Sequence, residues 1–378
     1  MTGRARLPEV AAVFLRLGFT AFGGPAAHVA LMEAEVVRRR RWVTPERFLD
    51  MFGAASLIPG PSSSELAVFL GYEYAGFLGL VVAGLCFVLP AALMSAGLAI
   101  AYLRYGSIPS VGHALAGIQP VVVAILVQAI AALAPKALPS RRAIAIAAVS
   151  SLAFACRVDA IVVLLGAGML SMSTAPRAAD GDGLSLSALV PPLLTTTKVV
   201  ASVGLGALFL VFLKLGATVF GSGYVLVAFL REELVHRRGW IDEPLLLDAI
   251  AVGQITPGPV FTTATFLGYL LGRGPGAVAA TVAVFLPGFI LIAAIRPILA
   301  WVRKSWRAGA FLDGVNAGSI ALMAVATAQL ARAVLGSTVA IAIVGVSVLV
   351  LLRTKVNATW LVVAGGVIGA MVGPGSQH

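Results

Sequence analysis

Long apolar stretches separated by short polar ones dominate the chain. The N-terminal half has six of them, at residues 8–31, 48–73, 76–103, 111–134, 142–156 and 159–173. The C-terminal half also has six, at residues 203–230, 245–272, 276–300, 312–334, 337–352 and 357–374. A helix of roughly 20 apolar residues crosses a bilayer, whereas about 15 residues reach only about 22 Å. The pattern predicts an all-α integral membrane protein, a polytopic helical bundle whose number of crossings stays open.

Composition supports membrane insertion. The chain is 60% hydrophobic and 11% charged, with a mean hydropathy of +1.00, whereas soluble domains are about 25% charged. The net charge of +11 comes from basic clusters between apolar stretches, which favours positive cytoplasmic loops over nucleic-acid binding. Cys86 and Cys156 lie in apolar stretches, and the four histidines show no metal-ligand spacing. We therefore expect no disulfide framework, no metal and no cofactor.

The N-terminus begins like a signal peptide, with basic residues before an apolar run. Arg16 interrupts that run, and no A-x-A site follows closely. We therefore expect this segment to remain in the mature protein. The chain has no P-loop motif, so we do not expect it to drive transport with an ATPase of its own.

The sequence contains two copies of one unit. FLRLGFTAFGGP at 14–25 recurs as FLKLGATVFGSG at 212–223, an offset of 198 residues. The same offset pairs Arg16 with Lys214 and Glu35 with Glu233, and it pairs the two PGP motifs at 59–61 and 257–259. A segment rich in Ser, Pro, Gly and Asp joins the copies. We predict repeats at 1–173 and 199–378, joined by a linker at 174–198.

The relative orientation of the copies depends on the number of crossings. An odd number in each copy gives an inverted repeat, and an even number gives a parallel one. The first copy carries four consecutive arginines at 38–41, whereas its counterpart mixes arginines with Glu232 and Glu233. Because the less basic loop is expected outside the cell, we predict an inverted repeat.

The PGP motifs interrupt apolar stretches, since proline and glycine both disfavour helix. A break inside a membrane must be buried in protein or face a wet cavity. We expect a half-helix to start just past each motif, capped by Ser62, Ser63 and Ser64 in the first copy and by Thr262 and Thr263 in the second. Helix N-termini offer N–H donors and positive partial charge, and therefore attract anions. A single such motif would more often be a kink, but its repetition favours function.

The glycine-rich ends of FGGP and FGSG predict a second break, where backbone N–H groups form an anion nest. Arg16 and Lys214 lie about two turns before these breaks, and a charge at membrane depth indicates function. An Arg16 that snorkels to lipid headgroups is the alternative. Together these features predict a central, symmetric site for a small anion, with no catalytic residue. Its expected substrate-binding residues are Arg16, Gly23, Gly24, Pro59, Gly60, Pro61, Ser62, Ser63, Lys214, Gly221, Ser222, Pro257, Gly258, Pro259 and Thr262.

Three carboxylates have a different interpretation. Glu35 and Glu233 are expected to begin an interfacial stretch that ends at Trp42 and Trp240, because Trp anchors helices at membrane interfaces. Glu65 has no acidic counterpart, since Thr263 takes its place in the second copy. As an intramembrane carboxylate, Glu65 is the better candidate for carrying protons.

The duplicated order of basic residue, FGG, Glu, Trp, PGP and Gly-Tyr resembles the chromate ion transporter family in its long two-domain form. The resemblance covers nearly the whole chain and implies that the basic residues and the FGG and PGP positions named above bind the ion. It also implies export of chromate from the bacterial cytoplasm, with sulfate as a related substrate. The second FGG reads Phe220-Gly221-Ser222, and Gln254 precedes the second PGP where the first copy has Ser56. Gln254 joins the candidate site, and the two half-sites are expected to be unequal.

The leading hypothesis is a secondary transporter that exports chromate across the bacterial inner membrane by alternating access and confers chromate resistance. Expected partners are chromate, sulfate and the lipid bilayer, without nucleic acid, and a homodimer is left open. One alternative is a transporter of the same build for sulfate or another oxyanion, and another is an anion channel. A membrane-bound chromate reductase is disfavoured, because no Cys or His cluster supplies a redox centre.

Overall fold

A computed structural model describes residues 6–22, 25–56, 58–106, 108–174, 203–220, 223–302, 306–354 and 356–372. These residues form helices and connecting turns, without strands in the described ranges. The α-helices are α1 (Leu7–Thr20), α2 (Pro25–Glu33), α3 (Pro45–Ala55), α4 (Ser62–Tyr105), α5 (Pro109–Ala137), α6 (Arg141–Ala155), α7 (Ala160–Thr174), α8 (Leu205–Thr218), α9 (Leu226–Leu230), α10 (Glu243–Ile255), α11 (Thr263–Val302), α12 (Trp306–Val334), α13 (Thr338–Arg353) and α14 (Ala358–Val372). Shorter elements are the π-helices Ala34–Arg39 and Arg231–Arg237 and the 3₁₀ turns Gly223–Val225 and Val260–Thr262. Apart from Thr174, the expected linker at 174–198 lies outside the described residues.

The first apolar stretch folds back on itself. The segment formed by α2 and the following π-helix runs antiparallel to α1, because Arg40 and Trp42 at its far end both donate to Glu9 near the start of α1. Closer to the turn, Arg16 of α1 donates to Glu35. These contacts make residues 7–39 a helical hairpin with its tip near Ala21, and we call it the first hairpin.

The second apolar stretch also folds back. Arg47 at the start of α3 donates to both oxygens of Glu73, at 3.0 and 3.1 Å. Because Glu73 lies in α4, the segments before and after the PGP motif run antiparallel, and the motif forms their tip. We call residues 45–74 the second hairpin.

The helix α4 then reverses at Ala75–Gly76. Across the reversal, Gly71 and Gly79 pack backbone against backbone, so that a Cβ atom on either one would overlap the other. The helix therefore consists of the segments Ser62–Tyr74 and Phe77–Tyr105. In the second half, α11 reverses in the same way at Gly272–Arg273.

Four helices have the length and composition needed to cross a membrane: Ser62–Tyr105, Pro109–Ala137, Val260–Ala294 and Trp306–Val334. Because α4 reverses, its spanning part is Phe77–Tyr105, about 43 Å long at 1.5 Å per residue. Along this part Leu85, Leu89 and Leu93 are exposed, as expected for a surface that faces lipid. The chain is a multi-pass membrane protein.

The two halves are inverted relative to each other. Gly84 of α4 packs on the ring of Phe289 of α11, whose own counterpart in the first half is Ala92. In a parallel repeat Gly84 and Phe289 would stand eight residues, about 12 Å, apart along the axis. At the far end of α4, Tyr102 donates to Asp248 of α10 at 3.0 Å. The contact between Gly84 and Phe289 therefore requires the long helices α4 and α11 to cross antiparallel, and the prediction of an inverted repeat is confirmed.

The remaining helices are exchanged between the halves. The helices α6 and α7 of the first half pack on α12 of the second, and α13 and α14 pack on α5 of the first. This exchange makes each half depend on the other for its lateral packing. The long helices α4 and α11 also contact each other directly.

Candidate functional site

The hairpin tips of opposite halves are joined by a reciprocal pair of hydrogen bonds. The Gly60 N–H of the first PGP donates to the Val219 carbonyl at 2.7 Å, and the Gly258 N–H of the second donates to the Ala21 carbonyl at 2.8 Å. Gly60 and Gly258 are repeat counterparts, and so are Ala21 and Val219. The tip of the first hairpin, at Ala21, therefore meets the PGP motif of the second half, and the tip of the second hairpin, at Gly60, meets Val219 of the second half.

The junction lies at mid-depth in the molecule. Gly258 packs against Ala91 and the Phe87 carbonyl, close to the middle of the spanning segment Phe77–Tyr105. Each of the PGP motifs, at 59–61 and 257–259, is thereby tied to the opposite half of the chain. The broken backbone is buried in protein, as a break at membrane depth must be.

Glycine is required at the centre of both PGP motifs. Gly60 has φ +129° and Gly258 has φ +90°, values that side chains other than hydrogen rarely allow. A Cβ atom on Gly60 would overlap the Glu65 carboxyl oxygen, and one on Gly258 would lie 3.0 Å from the Ala91 Cβ. The break thus depends on backbone freedom and close packing together.

The half-helices start where the sequence predicts, but the predicted caps are wrong. The helix α4 begins at Ser62 with Pro61 as its N-cap residue, and no side chain caps it. Ser62 and Ser63 are already inside the helix, because the proline of the motif occupies the capping position. The first N–H groups of the half-helix therefore have no side-chain cap, and those of Ser64 and Glu65 donate to the Pro61 carbonyl.

The second half-helix differs in detail. One 3₁₀ turn, Val260–Thr262, precedes α11. The Thr262 hydroxyl donates to the Pro259 carbonyl at 2.9 Å, and the Thr263 hydroxyl donates to the Val260 carbonyl at 2.8 Å. These hydroxyls point back to carbonyls instead of accepting from N–H groups, so the predicted threonine caps are also wrong.

The two intramembrane cations are not isolated charges. Arg16 forms an ion pair with Glu35, and Lys214 forms the equivalent pair with Glu233. The carboxylates are buried, with side chains 6% and 5% exposed, whereas the cations are 49% and 34% exposed. Both carboxylates are thus buried among their cations, and an interfacial position for Glu35 and Glu233 stays a prediction.

Each carboxylate is surrounded by three cations. Glu35 also binds Arg40 at 2.7 Å and Arg39 at 3.4 Å. Glu233 lies 3.7 Å from Arg237 and 3.6 Å from Arg238. We call these two groups the basic clusters. Arg40 also pairs with Glu9, so the first cluster keeps a net positive charge. Arg237 also pairs with Asp159 and Glu232, so the charges of the second cluster balance.

The structure adds a polar contact that the sequence analysis missed. His28 of α2 is buried, with Nδ1 3.2 Å from the Ser63 hydroxyl and Nε2 3.0 Å from the Ala21 carbonyl. It therefore links the tips of both hairpins of the first half. The sequence signal for this contact was a histidine inside an apolar stretch. Its counterpart is Leu226, so the second half lacks this contact.

Gln254 is another residue at which the two half-sites differ. Its Nε2 atom has no hydrogen-bond partner among the described residues. Its counterpart Ser56 donates to the Phe52 carbonyl of its own helix at 2.9 Å. Gln254 therefore presents an amide donor beside the second PGP that the first half does not match.

Four candidate residues, Gly23, Gly24, Gly221 and Ser222, lie outside the described residues. A cavity of about 290 Å³ lies between α5, α12, α13 and α14, and none of its lining residues belongs to a hairpin tip. Within the described ranges no group of three or more His, Cys, Asp or Glu side chains is arranged to hold a metal ion.

Inverted repeats whose broken helices meet at mid-depth define the architecture of many membrane transporters. Comparison with known families is consistent with this class. The chromate transporter family matches residues 8–172 and again residues 206–370. The chain belongs to the chromate transporter family, which is a family of transporters and not of enzymes.

Several relatives match along most of their length. The chromate transport protein of Pseudomonas aeruginosa is 33% identical over 97% of this chain and 92% of its own. That of Cupriavidus metallidurans is 31% identical over 98% and 94%. A probable chromate transport protein of Synechococcus elongatus is 32% identical over 86% and 85%. No solved structure matches the chain with significance.

Proposed function

We propose that this protein is a secondary transporter that exports chromate across the bacterial inner membrane and confers chromate resistance. The observation that carries the proposal is the reciprocal pair of bonds from Gly60 to Val219 and from Gly258 to Ala21. They tie the N-terminus of each half-helix to the opposite half of the chain. Chromate is a tetrahedral dianion, and uncapped N–H groups at helix N-termini suit such a ligand.

The substrate is inferred from the relatives. Two proteins that match nearly the whole chain are named chromate transport proteins. The same N–H donors would also accept sulfate, which has the same shape and charge. Gln254, with its unpartnered amide donor, is a candidate for distinguishing one oxyanion from another, because its contact is present in only one half.

The basic clusters would attract the ion. Because the halves are inverted, one cluster faces each side of the membrane, and the first has a net positive charge whereas the charges of the second balance. Clefts lined by one sign of charge raise the local concentration of the opposite ion. Arg16 and Lys214 are 49% and 34% exposed, and we propose that they pass the oxyanion from the cluster towards the junction.

The membrane potential suffices to drive export. Moving one charge across 100 mV is worth about 2.3 kcal/mol, so a dianion leaving an inside-negative cell gains roughly 4.6 kcal/mol. Alternating access would follow from rocking of the two halves about the junction. No ATPase is needed for this scheme.

Uptake of radiolabelled chromate into inside-out membrane vesicles, with and without excess sulfate, tests the proposal. Saturable uptake that survives sulfate is expected for a chromate exporter. Uptake abolished by sulfate would identify a general oxyanion carrier. Uptake that never saturates would indicate a channel, and no uptake would refute chromate as the substrate.

Two cation variants test the path through the clusters. Lys214→Ala removes one cation while Glu233 keeps Arg237 and Arg238, so we expect membrane insertion to persist and transport to fall at least about tenfold, a loss of about 1.4 kcal/mol of ion stabilisation. Arg16→Lys should retain transport, because the second half already uses lysine at this position. The matched control is Arg38→Ala, an exposed arginine paired only with Glu33. Wild-type transport by Lys214→Ala would contradict a role for the pair.

A further inference from the structure

Glu65 is a buried carboxyl group at the first PGP tip. It lies in the first turn of α4 and is 3% exposed. Its Oε2 atom has no hydrogen-bond partner among the described residues, and no cation of the described ranges forms a salt bridge with it. Burying a carboxylate without a partner is costly, so its presence at the junction calls for a role.

Two glycines make room for this carboxyl group. Its Oε1 atom packs against Gly60 of the same tip and against Gly288 of α11, where an added Cβ atom would lie only 2.6 Å away. The carboxyl group lies beside Gly60, which immediately precedes Pro61, the N-cap residue of α4. It is therefore folded back onto the N-terminus of its own half-helix, the feature that an oxyanion would use.

The surrounding elements supply little compensating charge. From α2, His28 reaches Ser63, two residues before Glu65. From α11, the facing residue is Gly288, which has no side chain. The charged groups of the other packed elements have partners of their own: Arg16 of α1 with Glu35, Lys214 of α8 with Glu233, and Asp50 of α3.

We propose that Glu65 is a tethered competitor of the transported oxyanion and that it must take up a proton before the oxyanion binds at the first PGP tip. A proton from water adds to the carboxylate and gives a neutral carboxylic acid, and the step reverses when the oxyanion leaves. One proton then accompanies each oxyanion in the same direction. This inference rests on the proposed function and adds the proton as the coupling ion.

The second half provides a built-in comparison. Thr263 stands at the position of Glu65, and its hydroxyl already donates to the Val260 carbonyl. Only the first tip can therefore exchange a proton in this way. A single coupling site predicts one proton for each ion.

Binding measurements on the purified full-length protein test the competition directly. Sulfate is the probe, because it keeps both charges where chromate takes up a proton. In the wild type, over the pH range in which Glu65 is ionised in the unliganded protein, the Kd for sulfate should fall about tenfold for each unit by which the pH is lowered, as one linked proton requires. Glu65→Gln should bind sulfate with a Kd independent of pH, and Glu65→Asp should restore the dependence. Thr263→Val and Glu73→Gln, at a partly exposed carboxylate near the reversal of α4, are controls that should behave as wild type. An unchanged pH dependence in Glu65→Gln would overturn the proposal.

Transport measurements separate this inference from the proposed function. Proteoliposomes loaded with chromate and a pH-sensitive dye should become more alkaline inside as wild-type protein releases chromate. Glu65→Gln should release chromate without that change. Proton movement that persists in Glu65→Gln, or moves in the opposite direction, would overturn the coupling. Absence of chromate release by the wild type would refute chromate as the substrate, while sulfate binding would still decide the role of Glu65. If the wild type neither binds sulfate nor moves chromate, both proposals fail.

Discussion

At the scale of single residues, the junction depends on two glycines, because glycine has no Cβ atom. Gly60 and Gly258 adopt positive φ values, donate to a carbonyl of the opposite half and leave no room for a Cβ atom. The flanking prolines restrict the backbone on either side. Any other residue at the centre would strain the backbone and displace its neighbours.

Gly60→Ala should therefore lower the stability of the protein by about 2 kcal/mol, the cost of a residue held in a disfavoured backbone conformation. The matched control is Gly53→Ala in the same hairpin, where a Cβ atom meets nothing within 4 Å. That variant should be neutral or more stable by up to about 1 kcal/mol, because Ala favours helix. Unfolding of the detergent-solubilised protein measures both, and equal stability of the two variants would contradict this account.

At the scale of helices, the sharp reversals within α4 and α11 convert each second hairpin into the start of a spanning segment. Gly76 lies at φ +70° and ψ −157°, and its counterpart Arg273 lies at φ +55° and ψ −150°. This region of backbone space is almost restricted to glycine. The second half therefore makes the same turn with a residue that is strained in it.

Arg273→Gly should stabilise the protein by about 1–2 kcal/mol, because it removes that strain. Gly76→Ala should have the opposite effect although the site has open space around it. The opposite signs distinguish backbone strain from side-chain packing. Thermal unfolding of both variants measures the difference, and a destabilised Arg273→Gly would show that the arginine side chain stabilises the turn instead.

At the scale of the whole molecule, inversion places equivalent residues on opposite sides of the membrane. Arg41 and Gly239 are repeat counterparts that follow the first hairpin of each half, and both are exposed. The antiparallel crossing of α4 and α11 puts them at opposite faces. The basic clusters just before them are then likewise divided between the two faces.

Labelling with a membrane-impermeant maleimide tests this arrangement. After replacement of Cys86 and Cys156, single cysteines introduced as Arg41→Cys and Gly239→Cys should react from opposite sides of the membrane. Labelling after the membrane is permeabilised serves as the control for reactivity. If both positions react from the same side of intact vesicles, the halves are parallel and the fold described above is wrong.

The local features of this protein could be predicted from its sequence. Apolar stretches of sufficient length identify membrane helices, because the cost of exposing polar backbone to lipid depends on length and composition alone. The internal repeat, the PGP breaks and the basic residue in each copy can be read directly. The predicted caps failed for an equally local reason, since Pro61 and Pro259 occupy the capping positions and have no side-chain oxygen to offer.

Which residues meet was decided only by the tertiary structure. The PGP motifs mark where a helix breaks. The hydrophobicity of the segment that follows is the same whether the chain then continues across the membrane or turns back. That choice brings Arg16 to Glu35 and His28 to Ser63. The junction of Gly60 with Val219 joins residues from different halves, and it exists because inverted copies pack against each other. The sequence by itself determined the parts and their repetition, whereas long-range packing determined their partners.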